Sequence, residues 1–106
     1  MIARWWTGSV SREKGAEYLA YLEQTGVAAL RSTPGNRGVY VFQREVGDAV
    51  ESIVLSLWDS LDSIKAFAGD DVERARYYPR DPEFLFYLSE HVTHFEAKGW
   101  LPPAAA

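Results

Sequence analysis

Apolar residues recur every second position in some segments of this chain and every third or fourth in others. The order of these segments is what most constrains the fold. Runs rich in β-branched and aromatic residues predict strands, and they cover residues 2–9, 38–46, 50–58 and the second half of 84–99. Helical spacing governs residues 11–26 and 59–69. The order βαββαβ predicts an α+β, ferredoxin-like fold: an antiparallel sheet with helices on one face and its last strand beside its first.

Signals at the ends of the first helix and of the hairpin refine these bounds. Ser11 is a natural N-cap, and Gly26 is expected to end or kink the first helix. Residues 27–33 can add a turn before the Pro- and Gly-rich residues 34–38 break the chain. Residues 47–49 read Gly-Asp-Ala, which predicts a tight turn between the second and third strands.

The second half of the chain carries similar signals. Asp59 or Ser60 is expected to cap the second helix and Gly69 to end it. Residues 70–84 predict a short helix, capped by Asp70 or Asp71, followed by a loop that contains prolines.

Both faces of the predicted sheet are apolar, although a sheet with helices on one side should present polar residues on the other. In strand 50–58, for example, Ile53, Leu55 and Leu57 alternate with Val54 and Trp58. An exposed apolar sheet face invites association. We therefore expect a symmetric homodimer that packs through its sheet faces, with a larger monomer core as the simpler alternative.

Composition excludes several classes of function. The net charge of −4 and the scattered Lys and Arg residues argue against nucleic-acid binding. The chain has no cysteine, and no apolar run approaches the length of a membrane helix. We expect a cytoplasmic protein with no membrane association, comprising one domain over residues 1–99 and a C-terminal tail over 100–106.

Several motifs point to one family. Trp58 and Ser60 form a Trp-x-Ser at the end of the third strand, and the next helix closes with Phe-Ala-Gly. The segments ARYYPRD (75–81), VTHFEA (92–97) and TPGNRGVYVFQRE (33–45) complete the set. Over residues 2–98 the chain resembles the antibiotic biosynthesis monooxygenase-like group of dimeric α/β-barrel proteins. The resemblance implies a dimer of ferredoxin-like subunits, each with a ligand cleft between sheet and helices.

Some members of that group degrade haem. They carry an Asn on the first strand, a Trp in the second helix and a His in the helix after it. The corresponding positions here hold Trp5 or Trp6, Phe67 and Tyr77. Tyrosine can ligate haem iron, but every residue that holds or orients haem in those relatives is replaced. The resemblance therefore favours a protein without a cofactor.

Other members oxygenate acidic phenols or anthrones directly with O2, and the resemblance implies a hydrophobic, aromatic small molecule as ligand. Such a site needs aromatic surfaces and a base or oxyanion partner. The candidate substrate-binding residues are Arg4, Trp6, Trp58, Phe67 and Tyr78, and the candidate catalytic residues are His94, Tyr77 and His91. Ordinary packing is the competing explanation for each aromatic. The competing function is that of a non-catalytic binding or structural dimer.

The two histidines, three residues apart, raise the question of a metal site. Their β-branched and aromatic neighbours predict a strand, which places His91 and His94 on opposite faces of the sheet. We therefore expect no shared metal, and we expect one histidine to face the helices.

Overall fold

A computed structural model describes residues 1–99 of the 106-residue chain. The predicted tail over residues 100–106 lies outside the described residues. Strands β1 (Ile2–Ser11), β2 (Asn36–Val46), β3 (Ala49–Trp58) and β4 (Thr93–Glu96) form one sheet. The α-helices are α1 (Gly15–Leu22), α2 (Ala28–Ser32), α3 (Leu61–Ala68) and α4 (Asp81–Phe84).

The sheet has the order β2-β3-β1-β4, and all of its pairs are antiparallel. β1 pairs with β3 over its whole length, from Ile2 opposite Trp58 to Ser11 opposite Ala49. On its other side β1 pairs with β4, with Arg4 opposite His94. The ferredoxin-like α+β fold and the pairing of the last strand with the first are thereby confirmed.

The first helical region continues past Gly26 to Ser32, within the extra turn predicted for residues 27–33, and contains a π-helical segment. It begins with a 3₁₀ turn over Arg12–Lys14, and a π segment over Glu23–Val27 joins α1 to α2. Gly26 therefore does not end the helix. A π turn takes up more residues than an α turn, which keeps Tyr18, Leu22, Gly26 and Leu30 on the buried side despite their spacing of four.

The predicted N-cap of the first helix makes no side-chain bond, whereas that of α3 is confirmed. Ser11 stands at the N-cap position before the 3₁₀ turn, but its side chain makes no capping hydrogen bond. Ser60 caps α3 through a capping box with Ser63. Gly69 follows α3 with a φ of 87°, a conformation that glycine adopts without strain.

The predicted helix after residue 70 is absent, so Asp70 and Asp71 cap nothing in the described chain. Tertiary partners keep this segment out of a helix. The backbone N–H of Ala75 donates to Glu90 O at 2.8 Å, and that of Val92 donates to Glu73 O at 2.7 Å. The short helix forms later instead, as α4 after Pro79.

The two faces of the sheet differ in what covers them. The helices cover the face that carries Val10, Val50, Val54 and Trp58, all of them buried. The opposite face is apolar and uncovered in the single chain: Tyr40, Phe42 and Phe95 are 51%, 48% and 53% exposed. None of the helices in the described part of the chain is long and apolar enough to cross a membrane.

Candidate functional site

A cavity of about 50 Å³ lies between the helix-covered face of the sheet, the first helical region and residues 76–81. The part of its wall that bears on chemistry consists of Arg4, Trp6, Phe67, Tyr77, Tyr78 and Asp81. Because a water needs about 10–15 Å³, this volume holds only a few waters. Aromatic rings therefore form a narrow cleft that also contains charged groups.

Arg4 brings a buried positive charge to this cleft. It is only 4% exposed, because its place on β1 directs it under the helices. Its guanidinium donates to the carbonyl oxygens of Val72 and Arg74 and lies 5.5 Å from the centre of the Phe67 ring. Burial lowers the pKa of Arg4 to about 10, so the group stays charged at neutral pH. It forms no ion pair with a carboxylate anywhere in residues 1–99.

His94 lies beside Arg4 on the neighbouring strand. Its Nε2 is 3.1 Å from Arg4 Nη1, and it accepts a hydrogen bond there because a guanidinium can only donate. Burial, and then the charge of Arg4, lower the pKa of His94, which Glu73 partly offsets. The imidazole is therefore neutral at neutral pH, and its lone pair is occupied in holding Arg4. His94 is not part of the cavity wall.

Tyr77 and Trp6 form a hydrogen-bonded aromatic pair in the wall. The Tyr77 hydroxyl accepts from Trp6 Nε1 at 3.2 Å and donates to Ser89 O at 2.7 Å. The rings meet edge to face with their centres 6.3 Å apart. Burial is the main cause that raises the pKa of Tyr77, which therefore remains a neutral phenol.

Tyr78 adds an unsatisfied polar atom to the wall. Its hydroxyl oxygen is buried and has no hydrogen-bond partner among the described residues. Burial raises its pKa. Such orphaned groups are uncommon in native proteins, and a ligand or a water in the cavity would satisfy this one.

Asp81 is a buried carboxylate that the sequence analysis did not single out. It is 6% exposed, and its Oδ2 accepts from the Tyr78 backbone N–H at 2.7 Å. Burial raises its pKa, which that hydrogen bond partly offsets. The Asp-Pro at residues 81–82 could have indicated a helix start here, but nothing local in the sequence indicates burial in a cleft.

Arg76 also lines the cavity, and the sequence did not indicate it as a site residue. Its guanidinium lies 5.1 Å from the centre of the Phe67 ring and 5.2 Å from that of Tyr78, and Nη1 donates to Phe67 O at 3.2 Å. Two arginines, Arg4 and Arg76, therefore make cation–π contacts with the Phe67 ring.

The predicted site residues divide into three groups. Arg4, Trp6, Phe67, Tyr77 and Tyr78 line the cavity together. His94 does not line the cavity, but it contacts Arg4, which does. Trp58 and His91 lie elsewhere: Trp58 is fully buried in the core, where its Nε1 donates to Ser56 Oγ at 2.9 Å. His91 is exposed, in an isolated bridge with Arg74.

Haem does not fit these residues. The Tyr77 hydroxyl, the only group at the positions compared that could ligate iron, already bonds Trp6 and Ser89. Within residues 1–99, no three His, Asp or Glu side chains lie close enough together to hold a metal ion.

A four-stranded antiparallel sheet, with helices over one face and an aromatic cleft between the two, defines a ferredoxin-like α+β protein. The family model for antibiotic biosynthesis monooxygenases matches residues 1–75. That match covers more than two thirds of the 106 residues, so the chain belongs to this family. A comparison with curated proteins found no match. The match ends before Tyr77, Tyr78 and Asp81, so these cleft residues lie outside the part that it covers.

Proposed function

We propose that this protein binds a hydrophobic, aromatic small molecule in the cleft and oxygenates it with O2, without a metal or flavin. The observation that carries the proposal is the buried guanidinium of Arg4, which has no carboxylate partner within residues 1–99 and borders an aromatic cavity. A buried charge without a counter-ion is costly, and a ligand oxyanion would provide one.

The chemistry follows from that charge. A substrate with an acidic CH₂ beside an aromatic ketone loses a proton to a base, and the electron pair delocalises onto the ketone oxygen. Arg4 stabilises this oxyanion through charge-assisted hydrogen bonds in a site that excludes water. The carbanion reduces O2: the CH₂ becomes a carbonyl, one oxygen atom enters the product, and the other leaves as water with the two hydrogens. The substrate itself is the reductant.

The remaining cleft residues hold the substrate and Arg4 in place. Trp6, Phe67, Tyr77 and Tyr78 offer ring faces and edges to an aromatic ligand. His94, through its contact with Arg4 at 3.1 Å, positions the guanidinium. Pockets for drug-sized ligands measure about 300–1,000 Å³, so the cleft must open before such a ligand enters.

Oxygen consumption tests this proposal. With a panel of hydroxyanthrones, the protein should consume O2 in proportion to substrate. Tyr77→Phe and His94→Ala should reduce the rate by about tenfold to a hundredfold, because each disturbs the geometry of the cleft. His91→Ala is the matched control and should retain the rate, since His91 lies away from the cavity. No uptake across the panel contradicts the proposal.

A non-catalytic binding protein is the second candidate. The engagement of Tyr77 and His94 in hydrogen bonds within the protein favours it, because those groups are then not free to act on a ligand. Saturable binding of the same hydroxyanthrones without O2 consumption would support this alternative.

We also propose that two copies of the chain pack through their uncovered sheet faces. The support is the row of exposed apolar side chains there, including Tyr40 and Phe42, whose rings stack 6.1 Å apart. Exposed apolar surface of this kind is typical of interfaces.

A further inference from the structure

We infer that Asp81 is the base of this cleft: the carboxylate that takes the acidic proton of the bound aromatic molecule. The inference rests on the proposed function and assigns a catalytic residue to it. It goes beyond the histidines and the tyrosine to which the sequence pointed.

The geometry of Asp81 supports this role. The residue lines the cavity and is 6% exposed, so a ligand there would meet a carboxylate screened from bulk water. Oδ2 accepts from the Tyr78 N–H at 2.7 Å, which fixes the orientation of the side chain. Among the described residues no hydrogen-bond donor contacts Oδ1, so that oxygen is free to receive a proton.

The charges around Asp81 favour basicity. No Lys, Arg or His in residues 1–99 forms an ion pair with it. The titratable groups that interact with it are phenols: Tyr18 from α1, and Tyr77 and Tyr78 from the segment before α4. Burial raises the pKa of Asp81 and brings it closer to neutral pH, where a general base is more effective.

His94 is the less suitable base. Its Nε2 lone pair accepts from Arg4, and the ring is not part of the cavity wall. A proton taken up at Nε2 would break that hydrogen bond and place two cations side by side. Arg4 and Asp81 make no ion pair with each other. Within residues 1–99, the Nε–H of Arg4 and one N–H of its Nη2 have no acceptor and can donate to a ligand. The cleft thus offers a separate anion partner and base.

The step is a proton transfer. The C–H bond of the substrate breaks, its electron pair stays on the substrate as an enolate at Arg4, and an O–H bond forms at Asp81 Oδ1. After the carbanion reacts with O2, Asp81 returns the proton to the peroxide anion. The hydroperoxide then loses water, which includes the second hydrogen of the carbon, to leave the ketone. Asp81 ends in its initial ionised state.

Anaerobic binding of 1,8-dihydroxyanthrone tests the inference without turnover. Protein with the native Asp81 should bind the probe as its enolate, which absorbs at longer wavelength than the neutral form. Asp81→Asn should bind it in the neutral form, because an amide cannot take the proton. This variant still offers an oxygen to the Tyr78 N–H, and thermal unfolding followed by circular dichroism verifies that it folds. Asp71→Asn, an exposed aspartate, is the control and should behave as the unmodified protein.

The outcomes separate this inference from the proposed function. The same enolate spectrum with Asp81→Asn overturns the inference, as does a probe that stays neutral or unbound with the unmodified protein. If Asp81→Asn retains full O2 uptake, the inference fails and the proposed function stands. If the unmodified protein forms the enolate but consumes no O2 on aeration, the proposed function fails and the assignment of Asp81 stands.

Discussion

At the scale of single residues, the cleft combines a buried arginine, a neutral histidine and a buried aspartate. The sequence could indicate Arg4 and His94, because a cation on an aromatic strand and a histidine on its predicted neighbour strand are visible as patterns. It could not indicate Asp81, since the burial of that residue depends on how residues 76–81 fold back over the first helix. The sequence likewise could not show that Trp58 lies outside the site. Its side chain packs in the core beside Phe67, with 6.4 Å between ring centres.

The first prediction concerns Arg4→Met, which keeps the length of the side chain and removes its donors. The carbonyls of Val72 and Arg74 lose their charged partner and stay buried, so the free energy of unfolding should fall by about 2–4 kcal/mol. Urea unfolding measures the loss. Arg44→Met removes an exposed ion pair with Glu51 and should cost less than about 1 kcal/mol. Equal losses in the two variants would show that Arg4 has no special structural role.

The second prediction concerns pH. The pKa of His94 is lower in the folded protein than its ordinary 6.5, so the unfolded chain binds the proton more tightly. Neutral His94 therefore contributes to the free energy of unfolding. This contribution is fully present above pH 6.5 and is lost as the pH falls from 6.5 through the folded pKa. His94→Gln should flatten this part of the curve in urea unfolding at several pH values. His91→Gln should leave the pH dependence of the free energy of unfolding unchanged. The same pH dependence in His94→Gln as in the unmodified protein would count against the prediction.

At the scale of elements, residue periodicity, runs of β-branched and aromatic residues, and turn residues predicted the four strands, the hairpin and both main helices. It failed where long-range bonds compete with local preference. Residues 70–76 have helix-forming composition, yet the bonds from Ala75 to Glu90 and from Val92 to Glu73 keep them out of a helix. The π segment Glu23–Val27 was also beyond sequence reasoning, because a glycine in a helical pattern more often indicates an end than a widened turn.

The third prediction tests the π segment as a wall of the cleft. A Cβ at Gly26 would lie 3.5 Å from Leu22 Cδ1 and 3.7 Å from Tyr78 Cε2, which is ordinary contact. Gly26→Ala should therefore raise the stability by about 0.5–1 kcal/mol, as glycine is costly inside a helix. It should also weaken binding of a hydroxyanthrone by roughly fivefold or more, because an added methyl overfills a narrow cavity.

Gly15→Ala is the control for this pair of effects. Its Cβ would lie 3.0 Å from Val50 Cγ2, too close for comfortable packing, and Gly15 is not part of the cavity wall. This variant should gain less stability than Gly26→Ala and bind the ligand as tightly as the unmodified protein. Unchanged ligand affinity in Gly26→Ala would remove the π segment from the binding site.

At the scale of the whole molecule, the uncovered apolar sheet face is the feature that the sequence indicated most directly. Alternation along β3 showed two apolar faces, and the structure covers only one of them with helices. Whether a second copy covers the other sheet face depends on contacts between two chains. Neither the periodicity of the sequence nor the structure of one chain gives information on such contacts. The dimer therefore stays a prediction.

The fourth prediction tests that dimer. Light scattering should give a mass of twice the 12.0 kDa chain at micromolar concentration. Phe42→Asp should give the mass of one chain, since a carboxylate at an apolar interface has no partner there. Leu61→Asp is the matched control, because Leu61 is 46% exposed and Phe42 48%, but Leu61 lies on α3, away from the open sheet face. A single-chain mass for the unmodified protein contradicts the proposed interface.

Oxidation of a hydroxyanthrone under oxygen-18 gas tests the central claim, oxygenation by the protein's own residues, most directly. Chelator-treated protein should consume one O2 for each substrate and place one labelled oxygen atom in the product, as detected by mass spectrometry. Arg4→Met should slow this oxidation by about a hundredfold, the loss expected when an oxyanion partner is removed. A product whose new oxygen comes from water, or no oxidation above the rate without protein, would contradict the account.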